Sequence, residues 1–239
     1  MRQAFLLSLL GSCALAGAEP ALAQAAAEED KAALSGGFDF IELRAGKGDE
    51  LFLWDGSFSY GDSTDQIMLM VEGGGTVGSR IDDVQARLLY GRSINDNVVL
   101  LAGVRHEFQP HPHDNYAMIG AQGSVGSRFS WEGYVFLSDA GRLTSDAQVI
   151  YQLPITEKIY VEPRAAIGWS AQRDEPNGAG AGFTEAEMSV RLRFRLNDNV
   201  NAFVGVAHER LLGDTRALAR ADGETLKSTI AVMGFGFSL

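Results

Sequence analysis

Glu185 to Leu196 reads Glu-Ala-Glu-Met-Ser-Val-Arg-Leu-Arg-Phe-Arg-Leu, polar or charged at every odd position and apolar at every even one. In a strand, successive side chains point to opposite faces, so this segment carries a stripe of charge on one face and a stripe of apolar surface on the other. A soluble sheet can alternate too, with its polar face in water. Here such segments fill nearly the whole chain, and helix-length apolar periodicity is absent after the first thirty residues. An apolar face repeated on every strand, opposite a charged one, is the requirement of a transmembrane β-barrel, lipid outside and a polar lumen inside.

The amino terminus fits an exported protein. Arg2 gives a weak positive region, Phe5 to Ala16 an apolar stretch too short to span a bilayer, and Ala21-Leu22-Ala23 a small-x-small cleavage site before Gln24. Residues 1–23 therefore read as a signal peptide. The rival reading is a lipoprotein signal, since Leu10-Gly11-Ser12 precedes Cys13, the one cysteine of the chain. If Cys13 leaves with the signal, disulfides, thiolate metal sites and cysteine nucleophiles are excluded. No later segment approaches the roughly 20 apolar residues of a spanning helix. The net charge of -11 argues against nucleic acid, which needs a basic face, and suits cations better than anions.

Residues 24–36, alanine-rich and acidic, read as a periplasmic lead-in, and residues 37–239 as one all-β domain. The alternation predicts an antiparallel barrel of about twelve strands, near 37–46, 50–61, 64–73, 80–92, 97–109, 115–125, 128–139, 142–153, 157–172, 182–196, 200–211 and 225–239. Ten strands is the alternative if the first two form a periplasmic extension. Tight turns at Ser93–Asn97, Gly126-Ser127 and Asn197-Asp198-Asn199 alternate with longer links at Gln109–Asp114, Arg173–Gly182 and Leu212–Glu224. Outer-membrane barrels have short periplasmic turns and longer extracellular loops, and an even strand number puts every long link outside. Trp54, Tyr90, Leu100, Val104, Met188 and Val190 then face lipid. Asp55, Glu72, Asp83, Gln85, Arg87, Arg105, Glu107, Glu132, Asp146, Glu162, Arg164, Glu187, Arg191 and Arg193 face the lumen. That many enclosed charges must pair or stay wet, which predicts a salt-bridged, narrow or plugged interior. The alternation up to Phe235-Gly236-Phe237-Ser238-Leu239 resembles the terminal signal read by barrel-assembly machinery.

Several segments resemble the copper resistance protein B family of outer-membrane proteins. They run in order: Leu53-Trp54-Asp55, Gly61-Asp62, Val71-Glu72-Gly73, Leu88-Leu89-Tyr90-Gly91-Arg92, Ala102-Gly103-Val104-Arg105, Ile119-Gly120-Ala121-Gln122-Gly123, Glu162-Pro163-Arg164, Val190-Arg191-Leu192-Arg193-Phe194, and His208-Glu209-Arg210 leading to Gly213-Asp214-Thr215 and Leu218-Ala219-Arg220. The resemblance implies a copper-tolerance protein of the cell outer membrane, surrounded by lipid, that binds copper ions or passes them across. It makes a periplasmic multicopper oxidase a partner to look for. A small nonspecific or structural barrel is the competing class. Two departures matter. Many family members carry a methionine- and histidine-rich segment before the barrel, and residues 24–36 contain neither type. Where the family usually has lysine on the third strand, this chain has Met70.

Copper chemistry nominates two candidate ligand sets. His111 and His113 flank Pro112 in an outer loop, and imidazole suits Cu(II), with Asp114 or Glu107 as an added oxygen ligand. A polar loop that happens to contain histidine is the bland alternative. Met68, Met70 and Met118 are placed inward by alternation, and thioethers favour Cu(I), whereas gap filling is the usual role of methionine. Met68 and Met70 lie about 7 Å apart along one face; nothing in the sequence brings Met118 to them. His106 and His208 read as residues of the interfacial girdle. Glu107, Glu132, Glu162 and Glu187 read either as a cation path or as partners of Arg105, Arg164, Arg191 and Arg193. Gly73-Gly74-Gly75 reads as a flexible outer loop, without the Lys-Ser/Thr of a phosphate cradle. No serine stands in a glycine-framed nucleophile context, so an enzyme is not expected.

Overall fold

The computed structural model describes residues 31–46, 50–79, 81–110 and 113–239. The expected signal peptide, most of the lead-in and His111 lie outside these residues. The strands are β1 (Ala33–Ala45), β2 (Leu51–Gly61), β3 (Asp65–Thr76), β4 (Ile81–Asn95), β5 (Val98–Gln109), β6 (Asn115–Val125), β7 (Phe129–Ser138), β8 (Leu143–Tyr151), β9 (Leu153–Pro154), β10 (Ile159–Ser170), β11 (Gly182–Arg195), β12 (Val200–Leu211) and β13 (Lys227–Ser238). All pairings are antiparallel, and β1 closes on β13. The two-residue β9 continues β8 along the same edge of β10, so the wall is a closed barrel of twelve staves. The ten-strand alternative falls, because β1 and β2 are paired on both sides as part of the wall.

Alternation sets the two faces as expected. Along β4, Gln85, Arg87, Leu89 and Gly91 are buried while Leu88 and Tyr90 are exposed. Leu100, Val104, Met188, Val190 and Val204 are likewise exposed. In water this girdle of branched and aromatic side chains would cost about 25 cal/mol per Å² of apolar area, and lipid removes that cost. Closure leaves no edge strand and pairs the backbone inside the wall, which a chain crossing hydrocarbon must achieve. Among the described residues, no helix is long and apolar enough to cross a membrane.

The short turns are built by their own side chains. Asp62 Oδ1 accepts from the backbone N–H of Thr64 and Asp65, Asn95 Oδ1 from Asn97, and Asn197 Oδ1 from Asn199 and Val200. Thr156 Oγ1 serves Lys158 and Ile159 in the same way. Such Asx and ST turns satisfy backbone donors where the ladder ends. The two donors hold the exposed Asp62 carboxyl below its ordinary range.

Three expectations need correction. The first strand begins at Ala33 rather than at residue 37. The Gly73-Gly74-Gly75 run is not a loop but part of β3, paired with Trp54, Leu53 and Phe52 of β2. Its glycine content reflects close approach: a Cβ on Gly73 would stand 2.4 Å from the Trp54 ring. Third, the link 212–226 contains a helix, α1 (Gly213–Ala221), where no helix was expected. Thr215 and Ala219 of α1 are buried, and the Thr215 hydroxyl accepts from Gly180 N–H at 2.8 Å, tying α1 to the link between β10 and β11.

Replacement of Val104, exposed at the middle of β5, by arginine is expected to destabilise the barrel in lipid vesicles by about 2–4 kcal/mol. Urea titration followed by tryptophan fluorescence measures this, and the heat-dependent shift of the folded band on electrophoresis reports closure.

Candidate functional site

The charged inner face forms a laced network on the side of the lumen made by β1 and β10–β13. Arg44 reaches Glu42 at 2.7 Å, Glu187 at 3.1 Å and Glu209 at 2.5 Å. Arg191 takes the other oxygen of Glu42 at 2.7 Å. Arg164 and Arg193 share Asp39 and Glu162 at 2.6–2.9 Å, and Arg193 also donates to Asn201. The guanidinium of Arg191 lies 4.7 Å from the Phe40 centroid and 4.9 Å from that of Phe203, so aromatic faces take part of the load of burial.

These partners differ from the expected ones in part. Glu162 pairs with Arg164 and Arg193, and Arg105 with Glu107, as read from the sequence. Glu187 pairs with Arg44, which is outside the expected set of arginines. Glu132 is held by the Tyr134 hydroxyl at 3.1 Å and the Gln148 amide at 3.2 Å, not by a guanidinium. Sequence reasoning missed Asp39, Glu42, Arg44 and Glu209. The first three lie on β1 beside a bulge near Phe38–Ile41, where two strand residues oppose one and the alternation slips.

Met68, Met70 and Met118 lie on the same side of the lumen. They belong to one cluster of buried side chains with Leu89, Leu101, Tyr116, Tyr134 and Phe136, on the side of the lumen made by β3–β7. Cross-strand register explains it: Met68 opposes Leu89, Leu89 opposes Gly103, and Gly103 opposes Met118. Gly103 puts no side chain between Leu89 and Met118. The Tyr134 hydroxyl stands 4.0 Å from Met70 Sδ while bonded to Glu132. A Cβ on Gly120 would lie 2.4 Å from the Tyr134 ring, so this glycine makes room for the tyrosine.

Around this cluster, Arg87 donates to Glu72 and stacks over Tyr134 and Phe136, at 5.3 and 5.4 Å from their centroids. Arg105 lies 3.9 Å from the Tyr116 centroid. These two guanidinia face six inward carboxylates, Asp55, Glu72, Asp83, Glu107, Glu132 and Asp146, so this side of the lumen is acidic. Among the described residues, no group of three or more His, Cys, Asp or Glu is arranged to hold a metal ion.

At the outer end, Asp114 and Glu107, considered as oxygen ligands beside His113, are engaged elsewhere. Asp114 pairs with Arg142, which also reaches Asp174 at 3.3 Å, and Glu107 pairs with Arg105. His113 instead stands beside His106, with ring centroids 5.7 Å apart. His208 is exposed on β12 and bonds Thr229 at 2.8 Å.

A closed barrel with a lipid-facing girdle and charges sealed inside defines an outer-membrane β-barrel protein. Two solved porins share the fold: the NanC porin, with a TM-score of 0.56 and 12% identity over 87% of this chain and 100% of its own, and the KdgM porin, with 0.52 and 9% over 85% and 99%. The family is fixed by sequence: the model for "Copper resistance protein B precursor (CopB)" matches residues 33–238, and the chain belongs to that family. The "Copper resistance protein B homolog" of Pseudomonas syringae pv. tomato is 27% identical, and "Copper resistance protein B" of Escherichia coli 28%, each over 196 residues. The match covers 82% of this chain and 66% of each relative, so the chain spans just under two thirds of their length.

Breaking one buried pair tests the network. Glu42→Ala, which strands Arg191, is expected to cost about 3–5 kcal/mol in denaturant titrations, whereas Glu42→Leu combined with Arg191→Met restores most of it.

Proposed function

We propose that this barrel serves copper tolerance by binding copper ions within the outer membrane and handing them along the lumen as cargo. The observation that supports the reading is that Met68, Met70 and Met118 all belong to one buried cluster. Thioethers are soft, neutral donors that select Cu(I), and the acidic inner face around them lowers the energy of any cation there. Methionine in the place of the lysine usual in the family adds a donor and removes a competing charge. Family membership supports copper as the cargo, as do the names of the two relatives.

Passage, in this reading, is by successive weak sites rather than through an open pore. Arg87, Arg191, Phe40, Leu53, Leu89 and Phe136 are buried to below 2% exposure, so side chains fill the lumen at their levels. A filled lumen suits selective handling, since an ion held too tightly cannot leave and a wide channel cannot choose. It argues against a nonspecific diffusion barrel, and neither fold nor family brings catalytic machinery with it. A periplasmic multicopper oxidase is the partner class that suits a copper cargo.

Deleting the gene is expected to raise sensitivity to copper but not to zinc or cobalt. A Met68→Leu, Met70→Leu, Met118→Leu variant, close in volume, is expected to fold yet fail to restore growth and to lose Cu(I) in competition with a chromogenic Cu(I) chelator. Equal copper growth of deletion and parent strains would refute the copper role, and undiminished Cu(I) affinity in the triple variant would refute the thioether site.

A further inference from the structure

His106 reads from sequence as one more residue of the interfacial girdle, and its ring does meet Phe108 edge-on at 4.5 Å. Its polar surroundings are more specific than that role requires. His106 opposes Asn115 across β5 and β6, and its Nδ1 lies 2.7 Å from Asn115 Oδ1. Asn115 Nδ2 donates to the Asp139 carboxylate at 3.2 Å, which turns the amide so that its oxygen faces the imidazole. The Nδ1 of His106 must therefore donate, and Nε2 carries the lone pair. On the following link, His113 Nδ1 lies 3.2 Å from the backbone carbonyl of Glu107, an acceptor, so His113 is held in the same tautomer. A carboxylate–amide–imidazole chain and a carbonyl–imidazole bond are the supports that orient metal-binding histidines and raise their basicity.

The spacing of the rings agrees. With metal–nitrogen distances of about 2.0 Å, two imidazoles on one ion have centroids roughly 4.5–6.3 Å apart, for bond angles from a right angle to linear. The rings of His106 and His113 are 5.7 Å apart. His208, the other described histidine on the outward face, has a different setting: its Nδ1 partner is the Thr229 hydroxyl, which can donate or accept and fixes no tautomer.

We propose that His106 and His113 form a two-imidazole site for a divalent transition-metal ion on the outer rim of the barrel, oriented by Asn115, Asp139 and the Glu107 carbonyl. Within the copper reading, on which only the choice of metal rests, it holds Cu(II) at the outer rim on donors harder than the lumen thioethers. Water completes the coordination, so binding is reversible.

The full chain, refolded in detergent micelles and titrated with Cu(II), tests the site. Paramagnetic resonance is expected to show coupling to two nitrogens. His106→Ala and His113→Ala are each expected to weaken binding at least tenfold and to remove one nitrogen from the spectrum. Asn115→Ala is expected to weaken binding by about 10–100-fold with both nitrogens retained, an effect that a merely structural role would not produce. His208→Ala should change nothing, and the heat-shifted band on electrophoresis verifies folding in every variant. Cu(II) affinity within twofold of the parent in both histidine variants overturns the site and leaves the thioether reading standing. Loss of Cu(II) binding in those variants with copper tolerance of the gene deletion strain unchanged from its parent upholds the site and removes the copper role.

Discussion

A closed wall in hydrocarbon forces a single condition on its interior: charged groups placed inside must be paired, hydrogen-bonded or neutralised there. The β1 and β10–β13 side of the lumen meets that condition with Arg44, Arg164, Arg191 and Arg193 against Asp39, Glu42, Glu162, Glu187 and Glu209. Burial of such groups costs several kcal/mol for each ion, recovered only when geometry and hydrogen bonding are good. The bidentate forks of arginine and the aromatic faces of Phe40 and Phe203 supply that geometry. The same packing fills the space between these strands, so the stability of the wall and the narrowness of the interior have one cause.

The opposite side is built differently, and the contrast is chemical. There, β3–β7 present thioethers and aromatic rings to the lumen, with a surplus of carboxylate over guanidinium. One half of the interior is neutralised by its own arginines. The other is soft, acidic and better suited to a cation brought from elsewhere. Gly120 lets the Tyr134 ring of the neighbouring strand lean across, whereas Gly103 is in close approach to the Leu88 and Leu89 backbone.

Much of this was legible in the alternation because a strand allows only two directions. Once the period was recognised, Arg87, Glu132, Glu162, Arg191, Met68, Met70 and Met118 could be assigned to the interior without knowing any contact. What alternation cannot carry is register. Whether Met118 falls at the level of Met68 depends on the offsets of β3 against β4, β4 against β5 and β5 against β6. Arg44 stays outside the expected set of partners for Glu187 for the same reason, since it is distant in sequence and reached only because β1 closes the barrel on β13. On β1 itself the bulge faces both Asp39 and Phe40 toward the lumen, which hides the pattern that Phe40, Glu42 and Arg44 would otherwise show. His106 was legible as a rim residue but not as a neighbour of His113, because the connecting link gives no period to read.

The central claim is that copper in this barrel meets sulfur inside the lumen. X-ray absorption at the copper edge, measured on folded protein loaded with one equivalent of Cu(I), addresses it without mutation. The account predicts a first shell dominated by two or three sulfur scatterers, supplied by Met68, Met70 and Met118. A shell containing nitrogen and oxygen with no sulfur would contradict it.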